Sequence, residues 1–137
     1  MGIPLMPLDG KNLAAAAPVI HVRDVVKSSE YYRDVLGFHY DKLWGDPPGF
    51  CISERDGVTL MLNVPEDLAH FHVNAEADTK GWTVYIFVRD VEALYEEYKR
   101  KGALIAYGLV VRPKYGMKEF AVEDPDGNVL VFGQDWA

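Results

Sequence analysis

Hydrophobic and polar positions alternate along the chain in two stretches that read alike. Val19 to Val22 is a short β-branched run that predicts a strand. Asp24 or Ser28 can cap a following helix, in which Val35 and Leu36 close the apolar stripe before Gly37, a natural C-terminal stop. Three strands follow, Phe38 to Trp44, Phe50 to Ser53 and Val58 to Asn63, punctuated by Asp46-Pro47-Pro48-Gly49 and by the Asp56-Gly57 turn. Beyond a polar stretch the order returns. Thr83 to Val88 predicts a strand, and Val91 to Lys101 a helix with Leu94, Tyr95 and Tyr98 on one face and Gly102 at its end. Strands near Leu104 to Val111, Lys118 to Glu123 and Asn128 to Phe132 complete it.

The likeness extends to residue identities. Val22-Arg23-Asp24-Val25 returns 66 positions later as Val88-Arg89-Asp90-Val91, and the same offset carries Glu30 onto Glu96 and Tyr32 onto Tyr98. Asp56-Gly57 to Leu62 is echoed by Asp126-Gly127 to Phe132 at an offset of 70. One unit is therefore used twice. The expected organisation is a single domain over residues 1–137: an N-terminal arm (1–16), a first βαβββ repeat (17–63), a connector (64–81) and a second repeat (82–133). The connector, with Glu66, Asp67, Glu76, Asp78 and Lys80, is too polar for a core.

Composition narrows the functional classes. Of 137 residues 49% are hydrophobic and 26% charged, which is ordinary for a soluble globule, and no apolar stretch approaches the ~18 residues of a membrane span. The Ala run near the N-terminus is preceded by Asp9, Lys11 and Asn12 where a signal peptide needs an apolar segment, so none is expected. The single cysteine, Cys51, forms no internal disulfide and reads as a small core hydrophobe, which points to a cytoplasmic location. A net charge of −7 repels a phosphate backbone and favours a cationic small ligand, although modest acidity also serves solubility alone.

The V-x-D-V strand ends, the Tyr31-Tyr32 pair, Leu36-Gly37-Phe38, and above all Glu119-Phe-Ala-Val-Glu-Asp-Pro-Asp-Gly-Asn128 resemble the glyoxalase, bleomycin resistance and extradiol dioxygenase (vicinal oxygen chelate) superfamily, and most nearly its bleomycin resistance branch. The resemblance implies an α+β fold in which each βαβββ repeat curls into a half-barrel sheet and two such sheets flank a ligand cleft. It also implies a homodimer, with exchange of the N-terminal strand near Pro18 as a possible device.

Metal-dependent members of the superfamily place His and Glu ligands on the first and last strands of each half. By the internal offsets these positions are Ala17, Met61, Thr83 and Val131, which offer neither imidazole nor carboxylate. No metal and no other cofactor is expected. His70 and His72 would share a face on a strand, yet they lie in the polar connector and read as solvated; His39 reads as a surface residue. His21 is both a candidate polar contact in the cleft and a candidate buried structural histidine.

If Thr83 faces the cleft, strand alternation brings Tyr85 and Phe87 with it, and Thr59, Met61 and Asn63 line the other half beside His21. Trp44, Phe50 and the Tyr115-Gly116 loop fall where bleomycin binders are expected to present aromatic groups and a flexible glycine. Such faces stack on planar, cationic guests. Tyr85 and Phe87 could equally fill the core, and Tyr31, Tyr32 and Tyr98 read as core or interface residues. The expected function is metal-free sequestration of a small molecule, such as a glycopeptide antibiotic, in an antibiotic-resistance role. The alternative is a lyase, isomerase or oxidoreductase that works without the usual metal, with His21 as acid or base. Ser-His and Cys-His pairings and a phosphate loop are missing from the sequence, and neither nucleic acid nor a membrane is expected as partner.

Overall fold

The computed structural model describes residues 10–68, 71 and 81–136. His70, His72, the first nine residues of the N-terminal arm and most of the connector therefore lie outside the described residues. The elements are β1 (Val19–His21), α1 (Val25–Asp34), β2 (Leu43–Trp44), β3 (Phe50–Arg55), β4 (Val58–Asn63), β5 (Val84–Phe87), α2 (Val91–Arg100), β6 (Leu104–Arg112), β7 (Met117–Glu123) and β8 (Val129–Asp135). They form two four-stranded sheets, ordered β1-β4-β3-β2 and β5-β8-β7-β6. In each sheet the first strand runs parallel to the last, and the remaining neighbours are antiparallel. The fold is α+β, two open half-barrel sheets each with one helix.

The repeat in the sequence is a repeat in register. Val19 pairs with Met61 and Tyr85 with Val131, so the same two offsets, 66 and 70, relate the paired positions. The helices begin where their caps permit. Asp24, not Ser28, caps α1, accepting from the backbone N–H groups of Val26 (3.0 Å) and Lys27 (3.2 Å), and Asp90 caps α2 through Ala93 (3.0 Å). Ser28 is instead buried inside α1. Helix α2 ends as expected at Gly102, whose positive φ (81°) lets Ala103 N–H reach back to Tyr98 C=O.

One predicted strand is interrupted. Phe38 to Trp44 was expected as one run, but only Leu43–Trp44 forms a strand, with His39 in an isolated bridge to Glu54. Leu43 pairs with Cys51, so four steps on one side meet three on the other. The extra residue is a bulge within the polar Tyr40-Asp41-Lys42 segment.

The two units share one core. Ile20, Cys51, Leu60 and Leu62 from the helix-covered face of the first sheet join Ile86, Phe120, Leu130 and Phe132 from the second, with Tyr32 of α1 and Tyr98 of α2 fully buried among them. Cys51 is thus the core hydrophobe expected, and burial pushes its thiol up to about 11. Tyr98 meets Phe132 edge-on at 5.3 Å and donates to Leu36 C=O at 2.7 Å, across the unit boundary. At the other junction Tyr32 donates to Asp124 Oδ2 (2.9 Å), which also accepts from Asn128 Nδ2, while Oδ1 accepts from the N–H groups of Asp126 and Asn128. Burial raises the Asp124 carboxyl above its ordinary range, against these bonds, which lower it. Arg55 and Glu97 form a bidentate pair (2.8 and 2.9 Å) between the units, and Arg23 joins Asp126 at 3.2 Å.

Candidate functional site

Sharing the core through their helix-covered faces leaves the other face of each sheet open. Alternation assigns the residues. In β4, Leu60 and Leu62 are buried under α1, so Thr59, Met61 and Asn63 point the other way. Register then places Val19 and His21 of β1, Ile52 and Phe50 of β3, and Trp44 of β2 beside them. His21 is exposed there and is not a buried structural residue; its ring lies 6.3 Å from Phe71, over which the Arg23 guanidinium sits at 4.4 Å. Lys42 Nζ caps the Trp44 ring at 3.7 Å. The six first-half candidates, His21, Trp44, Phe50, Thr59, Met61 and Asn63, therefore lie on one face.

On the second sheet Ile86, Leu130 and Phe132 belong to the shared core, and Thr83, Tyr85 and Phe87 lie on the opposite, open face. Phe87 is 76% exposed, so it is not a core residue. Trp82, Tyr85, Phe87 and Tyr115 form a continuous aromatic wall: Trp82 is 5.3 Å from Tyr85 and 6.2 Å from Tyr115, and Tyr85 is 5.2 Å from Phe87. The Tyr115-Gly116 turn is closed by Gly116 N–H to Arg112 C=O (2.8 Å), with Gly116 at positive φ (68°). Thr83 is engaged with the backbone: its Oγ1 accepts from Val129 N–H at 3.0 Å.

Beneath the wall is a group the sequence reading did not single out. Glu119 of β7 is fully buried on this face. Its Oε1 accepts from Tyr85 (3.1 Å) and Tyr115 (2.6 Å), its Oε2 accepts from Tyr107 of β6 (2.5 Å), and Arg112 Nε stands 3.5 Å from Oε2. Small residues make the convergence possible. Gly133 is the residue opposite Glu119 on β8, and the Tyr85 ring leans across it to reach the carboxylate. On the far side Tyr107 is registered with Ala121. Burial first, then the charge of Glu119 and the bond to it, holds the Tyr85 hydroxyl well above the ordinary tyrosine value; burial is likewise the first cause for Tyr107 and Tyr115, which shift the same way. The available signal was slight: Glu119 stands next to the apolar run Phe120-Ala121-Val122, in a strand that also carries Lys118 and Glu123.

Of the four positions the resemblance points to, Met61 and Val131 are registered against Val19 and Tyr85, two residues beyond Ala17 and Thr83. Their side chains do not fit a divalent cation: Val131 is buried and apolar, Thr83 is committed to Val129, and Ala17 and Met61 carry no hard donor. Among the described residues no three His, Cys, Asp or Glu side chains gather in a group able to hold a metal ion. A cavity of about 610 Å³ lies between the β3–β4 turn and α2, lined by Arg55, Arg89, Leu94 and Glu97 among others and reaching the wall only at Phe87. Arg55 and Glu97 there already satisfy each other, and of its aromatic lining Phe38, Tyr98 and Phe132 are buried core residues, so only Phe87 offers an exposed ring. The chemistry converges on the second sheet's open face.

The family model described as the Glyoxalase/Bleomycin resistance protein/Dioxygenase superfamily matches residues 14–132. The chain belongs to this superfamily. Its fold is similar to a glyoxalase/bleomycin resistance protein/dioxygenase from Alicyclobacillus acidocaldarius (20% identity, 89% of this chain and 91% of that one, TM-score 0.72). It is also similar to the bleomycin-binding protein of bleomycin-producing Streptomyces verticillus, solved with copper(II)-bleomycin (28% identity, 89% and 96%, TM-score 0.67), and to a lactoylglutathione lyase from Agrobacterium tumefaciens (17% identity, 90% and 95%, TM-score 0.66). No curated protein matches the chain significantly in sequence. Superfamily membership thus spans binders and enzymes, and the site itself has to distinguish them. No described helix is long and apolar enough to cross a membrane.

Proposed function

We propose that this superfamily member is a metal-free binding protein that sequesters a planar, cationic small molecule, a glycopeptide antibiotic of the bleomycin type being the leading candidate. The observation that carries this reading is the aromatic wall of Trp82, Tyr85, Phe87 and Tyr115, with Trp82, Phe87 and Tyr115 each 45% exposed or more on an open sheet face. Stacking of a planar guest on such rings contributes roughly 0.5 to 2 kcal/mol per contact. The net charge of −7 favours a cation, and the 28% identity to a protein solved with copper(II)-bleomycin supports the drug class. The buried, weakly acidic thiol of Cys51 suits a cytoplasmic setting.

The binding cleft in this proposal is completed by a second copy. Val19 (54% exposed) and Trp44 (44%) on one open face, and Trp82 (46%) and Phe87 on the other, are left uncovered because the units meet through their helix-covered faces. A two-fold homodimer setting the first face of one protomer against the second face of its partner would cover both and form two equal clefts. His21, Trp44, Phe50, Thr59, Met61 and Asn63 would then oppose Thr83, Tyr85, Phe87, Tyr115 and Gly116. In this chain β1 pairs with its own β4, and Met61 N–H is bonded to Pro18 C=O at 3.0 Å, so any strand exchange would replace those bonds with equal ones.

Calorimetric titration with copper(II)-bleomycin and with metal-free bleomycin tests the function. Saturable binding that weakens about tenfold in Tyr85→Ala, with the variant still folded, is the expected result. Absence of heat with either form at high micromolar protein would reject the drug assignment. Unchanged affinity in a folded Tyr85→Ala protein would reject the wall.

A further inference from the structure

The buried carboxylate under the wall gives the site a hydrogen-bonding polarity. Glu119 is fully buried and ringed by three phenols, and its two oxygens accept from Tyr85, Tyr107 and Tyr115. A carboxylate has no hydrogen to give, so each phenol must donate inward. A phenol owns one O–H, and once that is spent on Glu119 its oxygen offers only lone pairs to anything arriving from the open side. Arg112, with Nε 3.5 Å from Glu119 Oε2, balances the charge of the cluster, so selection there acts through hydrogen-bond direction more than through net charge. It also hydrogen-bonds the Tyr107 and Tyr115 hydroxyls, which uses part of their lone-pair capacity and makes Tyr85 the least encumbered acceptor. Tyr85 and Tyr115, which carry two of these oxygens, pack their rings against Trp82 in the wall.

We propose that Glu119 is a positioning residue that turns the hydroxyls of Tyr85, Tyr107 and Tyr115 into a rim of acceptors, so that the site selects planar aromatic ligands carrying N–H donors at the ring edge and rejects isosteres that carry an acceptor in the same place. The inference rests on the aromatic-wall reading above and adds the ligand's edge chemistry to it. The physical basis of selection is the penalty for placing an acceptor against lone pairs in a partly dehydrated site, where neither group finds a partner.

Carbazole and dibenzofuran serve as the probe pair: both are flat, neutral tricycles, and they differ in one edge group, an N–H in the first and an ether oxygen in the second. Fluorescence titration of the full-length protein in one co-solvent should show carbazole binding about tenfold more tightly. In Glu119→Gln the amide donates where the carboxylate accepted, so at least one phenol must turn its hydrogen outward, and the preference should fall to about threefold or less with dibenzofuran binding improved. Tyr115→Phe guards against misfolding of the glutamine variant. It keeps the ring and removes one acceptor, and the preference should again shrink while dibenzofuran affinity holds. Equal affinity of the wild type for both probes overturns the inference and leaves the wall standing. A preference that survives intact in either folded variant overturns the role of Glu119. Failure of both probes to bind wild type overturns the wall, and the inference with it.

Discussion

Replacing Gly133 by alanine puts a methyl group where the Tyr85 ring lies. An ideal Cβ at Gly133 would stand 2.0 Å from Tyr85 Oη, 2.6 Å from Cζ and 2.9 Å from Cε1, well inside van der Waals contact. The glycine lies in β8 and its φ is not among the positive ones, so the backbone accepts alanine and the conflict is with the ring alone. The ring must swing away, and its bond to Glu119 (3.1 Å) is lost. A hydrogen bond to a charged group contributes about 1.5 to 3 kcal/mol, and alanine recovers about 0.5 to 1 kcal/mol through the lower entropy of the unfolded chain. Gly133→Ala should therefore destabilise the protein by about 1 to 2 kcal/mol. In a Tyr85→Ala background the three atoms nearest that methyl are gone, and the same change should stabilise by about 0.5 to 1 kcal/mol. Urea unfolding of the four proteins, with unchanged m values, gives the coupling directly. An effect of Gly133→Ala with the same sign and size in both backgrounds would refute the placement of Tyr85 over Gly133.

Asp124→Asn keeps the shape but turns an amide toward donors that now converge on a carboxylate, so stability measured by urea unfolding should fall by about 2 to 4 kcal/mol. Arg55 first, with Lys101, holds the Glu97 carboxyl below its usual value of 4.5, so Glu97 stabilises the fold above that value and loses this contribution as pH falls through its depressed folded value. Unfolding midpoints of wild type and Glu97→Gln should accordingly differ at neutral pH and converge in acid; a gap that persists at low pH would argue against the pair. Light scattering should give a dimer of the 15.4 kDa chain, and a monomer at all micromolar concentrations would remove the two-chain cleft. Elemental analysis after dialysis should find no equimolar zinc, nickel, iron or manganese, whereas a retained metal would contradict the metal-free reading.

The doubled βαβββ order, a first helix capped at Asp24 or Ser28, and the division of each strand into two alternating sets were legible in the sequence because they depend on short-range rules. Side chains alternate along a strand, and a carboxylate beside free N–H groups starts a helix wherever it occurs. The offsets of 66 and 70 carried this further, since a repeated pattern imposes a repeated register, as Val19 with Met61 and Tyr85 with Val131 show. Tyr85 could not be assigned between core and open face from its own position, because period two allows either until the neighbouring sheet chooses a side. The choice came from packing: the helix-covered faces share a core around Tyr32, Tyr98, Phe120 and Phe132, which leaves Phe87 in the open. Glu119 was hidden for a related reason. Its partners come from positions 85, 107 and 115, on two other strands and a turn, and they meet only because Gly133 leaves room for a ring to lean across the sheet. Periodicity describes where a side chain leaves its own strand, whereas a buried carboxylate is satisfied by whatever the tertiary fold brings to it.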